Sequence, residues 1–232
     1  MENEDINQLI LDLWEKYSKE NHPGTKRWPL FYPEFPEKCE ILFVGINPSF
    51  REDMNKIQDY NFSNKEFSIQ DAIYFEKNAK DKNSKKPYKL YFGPVWDIVE
   101  GCNLKDRWDH IDLFLIRNKT QKIVEELVKG EGTMLFNDFG SKQINIFLKI
   151  IEKINPKVIF VVNKFASEIV EKNNNFKIDK SRFEKEGFYR IFVRENSIPL
   201  FFSGYLGSGR LDIYSKKRLI WHIKQALNGG CR

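Results

Sequence analysis

One short stretch of the sequence, residues 40–49, limits the possible folds more than any other. It holds a run of apolar residues that ends at Gly45 and is followed by Asn47 and Pro48. Such a run is typical of a strand buried on both faces of an open α/β sheet. Ligands of these sheets bind beyond the carboxyl ends of the strands, so we expect a chemical site at Asn47. The alternative is that Asn47 only starts a turn, because Asn-Pro is a common turn pair.

The composition is that of a globular protein. The chain has 232 residues, of which 41% are hydrophobic and 31% charged, and no apolar run is long enough to span a bilayer. The N-terminus is acidic and lacks the apolar segment of a signal peptide, so we expect a cytoplasmic protein with no membrane partner. The three cysteines are odd in number and far apart, which argues against a disulfide framework and a cysteine-rich metal site. The net charge of +5 is too small to indicate a nucleic-acid partner by itself.

Apolar periodicity predicts an alternation of helices and strands. Helices are predicted at 7–19, 67–75, 120–128, 141–154 and 164–172 and after the N-cap Asp212, and strands at 41–45, 108–116, 158–162, 189–193 and 199–202. This alternation indicates a three-layer α/β/α sandwich with a mostly parallel central sheet of about four strands. We expect one domain over 1–232, with an N-terminal helix and a proline-rich connection in 1–39 and a polar insert at about 50–87.

Local patterns suggest interpretations for the aromatic segment 88–96, for three tryptophans and for the insert at 50–87. Residues 88–96 are interpreted as an aromatic loop that leads into a helix with Pro94 near its first turn. Trp96, Trp108 and Trp221 each lie in an apolar stripe, so we expect them in the core. The lysine-rich insert is either a phosphate-facing lid or a solvated loop, and the sequence leaves both open.

Three loops are expected at the same edge of the sheet. Asn47 follows the first strand, Arg117 and Asn118 follow the second, and the glycine- and serine-rich segment 203–210 follows the last. Carboxyl ends of parallel strands meet at one edge, which brings these loops together. No metal is expected at this edge. Asp109 and His110 could suggest a metal site, but as neighbouring residues of a strand they face opposite sides of the sheet.

The motif Gly45-Ile46-Asn47-Pro48-Ser49 resembles the first motif of the uracil-DNA glycosylase superfamily. It is most similar to the mismatch-specific uracil/thymine branch, whose version ends in Gly where this chain has Ser49. The segment 88–96 resembles the stretch of that branch which supplies a ring that stacks on the flipped base, and 155–166 is similar to its third strand and following helix. The resemblance covers most of residues 40–227.

The resemblance implies a DNA glycosylase that hydrolyses the N-glycosidic bond of a flipped base, such as uracil or a related damaged or deaminated base, in base excision repair. Asn47 would position the attacking water, and Ser203 would donate one hydrogen bond to the leaving base. An Asn cannot take the proton as an Asp would, so the chemistry would be slower than in branches with Asp. The implied base-binding residues are Gly45, Ile46, Pro48, Tyr88, Tyr91 and Asn118. The implied DNA-binding residues are Ser49, Gly204, Tyr205, Leu206, Gly207, Ser208, Gly209, Arg210 and Lys216.

The last motif departs from the superfamily pattern. That motif usually has His or Asn, then Pro-Ser and a residue that wedges into the duplex, whereas segment 203–210 contains neither His nor Asn. The alternative is therefore a catalytically silent member of the same fold that binds nucleic acid or a nucleotide. The glycosylase hypothesis implies damaged or mismatched DNA as the partner, and the alternative implies nucleic acid or a nucleotide. We expect a monomer with no cofactor and no metal. A phosphate-binding enzyme of another α/β family is disfavoured, because no Gly-x-Gly-x-x-Gly signature follows the first strand.

Overall fold

The computed structural model describes residues 3–49, 61–64, 67–79, 88–132, 135–204, 206 and 211–229. These residues form two compact units, each built from several segments of the chain. The first unit comprises Met1–Glu34, Ile46–Asn78 and Asp112–Lys153. The second comprises Phe35–Gly45, Ala79–Ile111 and Ile154–Arg232.

The first unit is helical. Its elements are α1 (Asn3–Lys19), a 3₁₀ helix (Pro23–Thr25), α2 (Ile69–Ala79), α4 (Gln121–Val128) and α5 (Asp138–Ile154). Helix α1 buries the stripe that its periodicity predicts, and its Trp14 ring lies 5.4 Å from the ring of Phe139 on α5. The proline-rich connection after α1 is held by Asn7, whose amide bonds both the N–H and the carbonyl of Tyr32.

The second unit contains a six-stranded sheet. Its strands are β1 (Ile41–Gly45), β2 (Trp108–Asp112), β3 (Val158–Val161), β4 (Lys177–Asp179), β5 (Tyr189–Val193) and β6 (Asn196–Phe202), in the order β2-β1-β3-β6-β5-β4. The pairs β1/β3 and β3/β6 are parallel, and β5 is antiparallel to both β6 and β4. The prediction of a mostly parallel α/β sheet is confirmed in this coarse form. The sheet has six strands, however, and not about four.

The helices of this unit are α3 (Tyr88–Gly101), α6 (Lys164–Lys172), α7 (Phe183–Glu186) and α8 (Ile213–Leu227). Helices α3 and α8 pack over one face of the sheet, where their buried side chains form one core cluster with Phe43 of β1 and Phe160 of β3. Gly101 lets α8 come close, because a Cβ at this position would lie 2.6 Å from Ile220 Cδ1. The predicted N-cap Asp212 is confirmed at the start of α8, where its side chain accepts the N–H groups of Tyr214 and Ser215. Helix α6 begins at Lys164 as predicted, and Asn163 caps it by accepting the N–H of Ala166.

The prediction of an aromatic loop at residues 88–96 is wrong. These residues are the first two turns of helix α3, and Pro94 lies inside the helix and not near its start. Proline in a helix interior removes one hydrogen bond and costs about 3 kcal/mol. The helix forms nevertheless, because Phe92, Val95, Ile98 and Val99 bury their side chains in the core cluster. Tertiary packing therefore outweighs the local signal.

The second predicted strand is shorter than its apolar run. It ends at Asp112, whereas the prediction extended it to Ile116. Beyond Asp112 the backbone bonds to loops and to a side chain: Phe114 N–H donates to the Ile46 carbonyl and Leu115 N–H to Gln143 Oε1. Residues 113–117 are buried without being a strand, so their burial explains the apolar run. Strand β4 and helix α7 were not predicted, because neither carries an apolar stripe.

Glu40, a buried carboxylate just before β1, forms ion pairs at the N-terminal ends of β1 and β3. Its side chain is 8% exposed, and its Oε1 lies 2.8 Å from Arg107 Nη1, 3.2 Å from Lys157 Nζ and 3.3 Å from Lys38 Nζ. Burial raises the pKa of this carboxyl, but the hydrogen bonds from Lys157 and Lys38 and the charge of Arg107 outweigh burial and hold the pKa below its ordinary value near 4.5. The carboxylate is therefore ionised at neutral pH.

This depressed pKa predicts a pH-dependent contribution to stability. The contribution is complete above the unfolded pKa, near 4.5, and is lost as the pH falls through the lower folded value. Glu40→Gln should therefore melt below the parent at pH 6 to 7, and the difference should shrink towards pH 3. Thermal melting of both proteins across this range measures the difference. A difference that stays constant with pH would contradict the role of the charge.

No helix among the described residues is both long and apolar enough to cross a membrane. Two of the cysteines, Cys39 and Cys102, are buried free thiols. The third, Cys231, lies outside the described residues.

Candidate functional site

Asn47 is anchored by its amide nitrogen. It lies two residues after the end of β1, in the first unit. The two N–H groups of Nδ2 are shared among the carbonyl oxygens of Asn118 at 3.0 Å, Pro48 at 3.1 Å and Ile116 at 3.3 Å. Carbonyl oxygens can only accept, so the nitrogen must face them and the orientation of the amide is fixed. The predicted proximity of Asn47 and the 117–118 loop is present in the structure.

The other end of the same amide is available. Among the described residues, Oδ1 of Asn47 accepts no hydrogen bond, and the side chain is only partly buried. An acceptor that is held in one orientation by three bonds at the opposite end of its amide can position a water molecule or another donor. This is the chemistry that the resemblance implies for Asn47.

Asn118 is held in its own loop while keeping a donor. Its backbone N–H donates to the Pro48 carbonyl at 3.3 Å, and its side-chain Oδ1 accepts the N–H of Thr120 at 3.3 Å. Within the described part of the chain its Nδ2 has no acceptor. Because Oδ1 is occupied, Asn118 can offer N–H groups to a ligand carbonyl.

The remaining residues of the first motif are mostly buried. Gly45 ends β1, Ile46 is 4% exposed and Pro48 is buried, whereas Ser49 is exposed. The carbonyl of Ile46 accepts the N–H of Phe114 at 3.0 Å. Ile46 and Pro48 thus contribute backbone groups and shape, while Ser49 presents its hydroxyl to solvent.

Arg27 and Arg117 were not predicted as site residues, although Arg117 is part of the 117–118 loop and Arg27 contacts it. Arg27 Nη1 donates to the carbonyl of Arg117 at 3.1 Å, and Arg117 itself is 3% exposed. Burial lowers the pKa of the Arg27 guanidinium, which still remains charged at neutral pH. Arg27 was missed because it lies in the proline-rich connection, where the sequence gives no periodicity. It helps to fix the loop on which Asn47 is anchored.

The last motif lies in the second unit and is described only in part. Ser203 follows β6, and its N–H donates to the Val161 carbonyl at 2.9 Å, which continues the pairing with β3. Gly204 is exposed. Leu206 is 7% exposed and belongs to the core cluster, so the prediction of a DNA-wedging side chain is not supported at this position. The predicted DNA-binding residues Tyr205, Gly207, Ser208, Gly209 and Arg210 lie outside the described residues, as does most of the insert at 50–87.

The candidate stacking rings are on helix α3. The Tyr91 ring is partly buried against the core cluster, and its hydroxyl lies 2.8 Å from His110 Nε2 on β2. Tyr91 thus has a clear packing role, and its role in base binding stays a prediction. The side chain of Tyr88 lies outside the description.

Lys216, which was predicted to contact DNA, forms an ion pair within the second unit. Its Nζ lies 2.6 Å from Asp97 Oδ2, and this ion pair connects α8 with α3. The charge of Lys216 is therefore already neutralised within the unit. The sequence could not show this, because the two residues are far apart in the chain.

The exposed face of α8 carries aromatic and basic side chains together. Tyr214 is 70% and Trp221 52% exposed, and the exposed Lys217 and Arg218 lie between them along the helix. Trp221 was predicted in the core, and this prediction is wrong: the buried stripe of α8 runs through Ile223 on another side. Tyr214 and Trp221 are seven residues apart, so they share one face and lie about 10 Å apart along the axis. Helix α8 contains no Asp or Glu. We call Tyr214, Lys217, Arg218 and Trp221 the α8 face.

No cluster of three potential metal ligands (His, Cys, Asp or Glu) occurs among the described residues. No protein-family model matches the chain, and no curated protein is significantly similar to it. The geometry of Asn47, Asn118 and the α8 face is therefore the basis for assigning a function.

Proposed function

We propose that this chain is a DNA glycosylase with a uracil-DNA glycosylase-like, three-layer α/β/α fold. It would hydrolyse the N-glycosidic bond of a flipped damaged or deaminated base, uracil or a related one, in base excision repair. The observation that carries the proposal is the fixed amide of Asn47, whose Nδ2 is bonded to three carbonyls while Oδ1 has no donor among the described residues. The resemblance of residues 45–49 to the first superfamily motif supports it.

In the proposed reaction Asn47 Oδ1 accepts a hydrogen bond from the attacking water. The water oxygen bonds to C1′ as the bond between C1′ and the base nitrogen breaks, and the base leaves with the electron pair as an anion. The water proton passes to solvent, because an amide cannot take it. Asn118 Nδ2 would donate to a carbonyl of the base, and Ser203 would donate to the leaving base. Preorganised donors of this kind stabilise the charge that develops on the leaving group.

The α8 face supports a nucleic-acid partner. Aromatic side chains on which bases stack, combined with cations that contact phosphates, are the usual elements of sequence-tolerant binding. Lys217 and Arg218 supply the cations. Helix α8 itself contains no carboxylate, and the preceding N-cap residue Asp212 interacts electrostatically with Arg218. The partner would be DNA, bound by a monomer without cofactor or metal.

The salt dependence of binding should distinguish the two exposed cations of the α8 face, Lys217 and Arg218, from the ion-paired Lys216. Each phosphate contact contributes about 0.9 to the slope of log affinity against log salt on duplex DNA. The Lys217→Ala/Arg218→Ala protein should therefore show a slope about 1.8 smaller than the parent. Lys216→Ala should leave the slope unchanged, because Asp97 already neutralises Lys216. Equal slopes for the double variant and the parent would place the DNA on another surface.

A catalytically silent nucleic-acid- or nucleotide-binding protein is the second candidate. It is favoured by the last motif, which has no His or Asn, and by the burial of Leu206. The α8 face could bind a strand without any chemistry.

A cleavage screen decides between the two candidates. Oligonucleotides bearing uracil, a thymine mismatch, hypoxanthine or xanthine, each in single and double strands, are incubated with the protein and then treated with alkali to break abasic sites. Strand breaks with at least one of these substrates are expected for the glycosylase. Binding without breaks on any substrate would establish the silent protein.

A further inference from the structure

A cavity in the second unit lies outside the candidate site, at the N-terminal ends of β1 and β3. Its volume is about 470 Å³, within the range of about 300–1,000 Å³ that is usual for small-molecule sites. Glu40, which directly precedes β1, and Lys157, which directly precedes β3, line it. The cavity shares no residue with the Asn47 site or the α8 face.

The lining carries surplus positive charge. Its charged members are Arg107, Lys157, Lys224 and Glu40, so three cations face one carboxylate and two positive charges remain. Glu40 is additionally contacted by Lys38 at 3.3 Å. The cations around Glu40 thus outnumber this one carboxylate, and the cavity is suited to bind an anion.

Lys224 shows this surplus most clearly. It is partly buried on α8 and lines the cavity, yet it has neither an ion pair nor a side-chain hydrogen bond with the described part of the chain. Cations removed from water are usually paired in proteins. The neighbouring Cys102 cannot supply the anion, because burial raises the pKa of its thiol to about 11. An anion from outside the chain would complete the site.

The donors present select the kind of anion. Arg107 Nη1 is bonded to Glu40 at 2.8 Å and Nη2 to the Asn103 carbonyl at 2.9 Å, so its fork is not free to hold a carboxylate in bidentate fashion. Lysines bind phosphate as point charges, and an ammonium group has three N–H donors, so Lys157 can contact a phosphate while it keeps its 3.2 Å contact with Glu40 Oε1. A phosphate monoester carries a charge of about −1.5 to −2 at pH 7, which matches the surplus of two. Leu104 and Leu227 provide an apolar part of the lining for the carbon skeleton of the ester.

We propose that this cavity binds a small organic phosphate monoester, with its phosphate held by Lys157 and Lys224 and its carbon skeleton against Leu104 and Leu227. The site is independent of the proposed glycosylase activity. Its ligand class is set by the surplus of two charges, by the engaged guanidinium of Arg107 and by the apolar lining.

Titration calorimetry with phenyl phosphate tests the proposal, because this probe combines an apolar ring with a phosphate dianion and carries no nucleobase. Saturable binding is expected for phenyl phosphate and none for phenol. Lys224→Met keeps the apolar stem but removes the charge, and should weaken binding at least 10-fold. Lys157→Met should weaken it similarly, since Glu40 keeps Arg107 and Lys38 as partners. Lys164→Met is the matched control, because Lys164 is 87% exposed and does not line the cavity.

The expected pattern is loss of affinity in both cavity variants and parent-like affinity in the control. Far-UV circular dichroism and the melting temperature of each variant establish that it is folded. Absence of binding to the parent at millimolar phenyl phosphate, or parent-like affinity in folded Lys224→Met, would overturn the proposal.

Discussion

Replacing Asn47 by alanine is expected to lower the single-turnover rate of base release about 100-fold or more. Oδ1 is the acceptor proposed to hold the attacking water, and loss of one preorganised polar group at a reacting centre typically has an effect of this size. The contact is made mainly in the transition state, so the affinity for the oligonucleotide should change little. Rapid-quench kinetics with protein in excess measure the rate, and fluorescence anisotropy measures the affinity.

The same substitution also removes anchoring bonds, which requires a control. The two N–H groups of Nδ2 are shared among three carbonyls, and each net hydrogen bond contributes about 0.5–1.5 kcal/mol to the free energy of unfolding. The melting temperature should therefore fall, and the rate must be measured well below it. Arg27→Gln is the matched variant, because it loosens the same loop at the Arg117 carbonyl but leaves Oδ1 in place. It should lose stability and lose less than 10-fold in rate. A similar loss of rate in both variants would mean that Asn47 acts only as a structural residue.

Replacing Trp221 by alanine is expected to weaken binding of an oligonucleotide by about 5- to 150-fold. Stacking of a base on an aromatic side chain contributes about 1–3 kcal/mol. Trp221 is 52% exposed, so the substitution leaves no large cavity and the melting temperature should stay close to that of the parent. Quenching of tryptophan fluorescence and anisotropy of a labelled strand both report the binding.

Phe192→Ala is the control for Trp221. Phe192 is an aromatic side chain on β5 that is 42% exposed, close to the exposure of Trp221, and it belongs neither to the α8 face nor to the insert at 50–87. The control should bind like the parent. Equal affinity of Trp221→Ala and the parent would exclude the α8 face as a stacking surface, while a loss of affinity in both variants would indicate binding that is not confined to α8.

The sequence predicted those elements whose signals are local. Strands β1 and β3 are apolar runs, α6 begins at Lys164 as its periodicity predicts, and α8 follows the predicted N-cap Asp212. Prediction failed where packing between distant segments decides the structure. Helix α3 contains Pro94 and still forms, because the core on one side of the sheet requires its apolar side chains.

For the candidate site, the sequence could predict only which residues lie close together, and not how their side chains are oriented. Asn47 and Asn118 follow β1 and β2, which are neighbours in the sheet, and the structure brings the two residues together. Which atom of the Asn47 amide faces the protein depends on the carbonyls of residues 116–118, and no sequence pattern encodes these directions. Likewise, the pairing of Lys216 with Asp97 and the exposure of Trp221 follow from the rotation of α8 on the sheet. The prediction of a single domain and of a cytoplasmic location stays a prediction.

Asn47 and the α8 face have separate roles in this account, the first in chemistry and the second in binding. The most direct test is the single-turnover rate of base release at saturating protein for the parent, Asn47→Ala and Trp221→Ala, on the substrate that the cleavage screen identifies. The account predicts a rate at least 100-fold below the parent for Asn47→Ala. It predicts a parent-like rate for Trp221→Ala once the higher protein concentration compensates for the weaker binding. A parent-like rate for folded Asn47→Ala would contradict it.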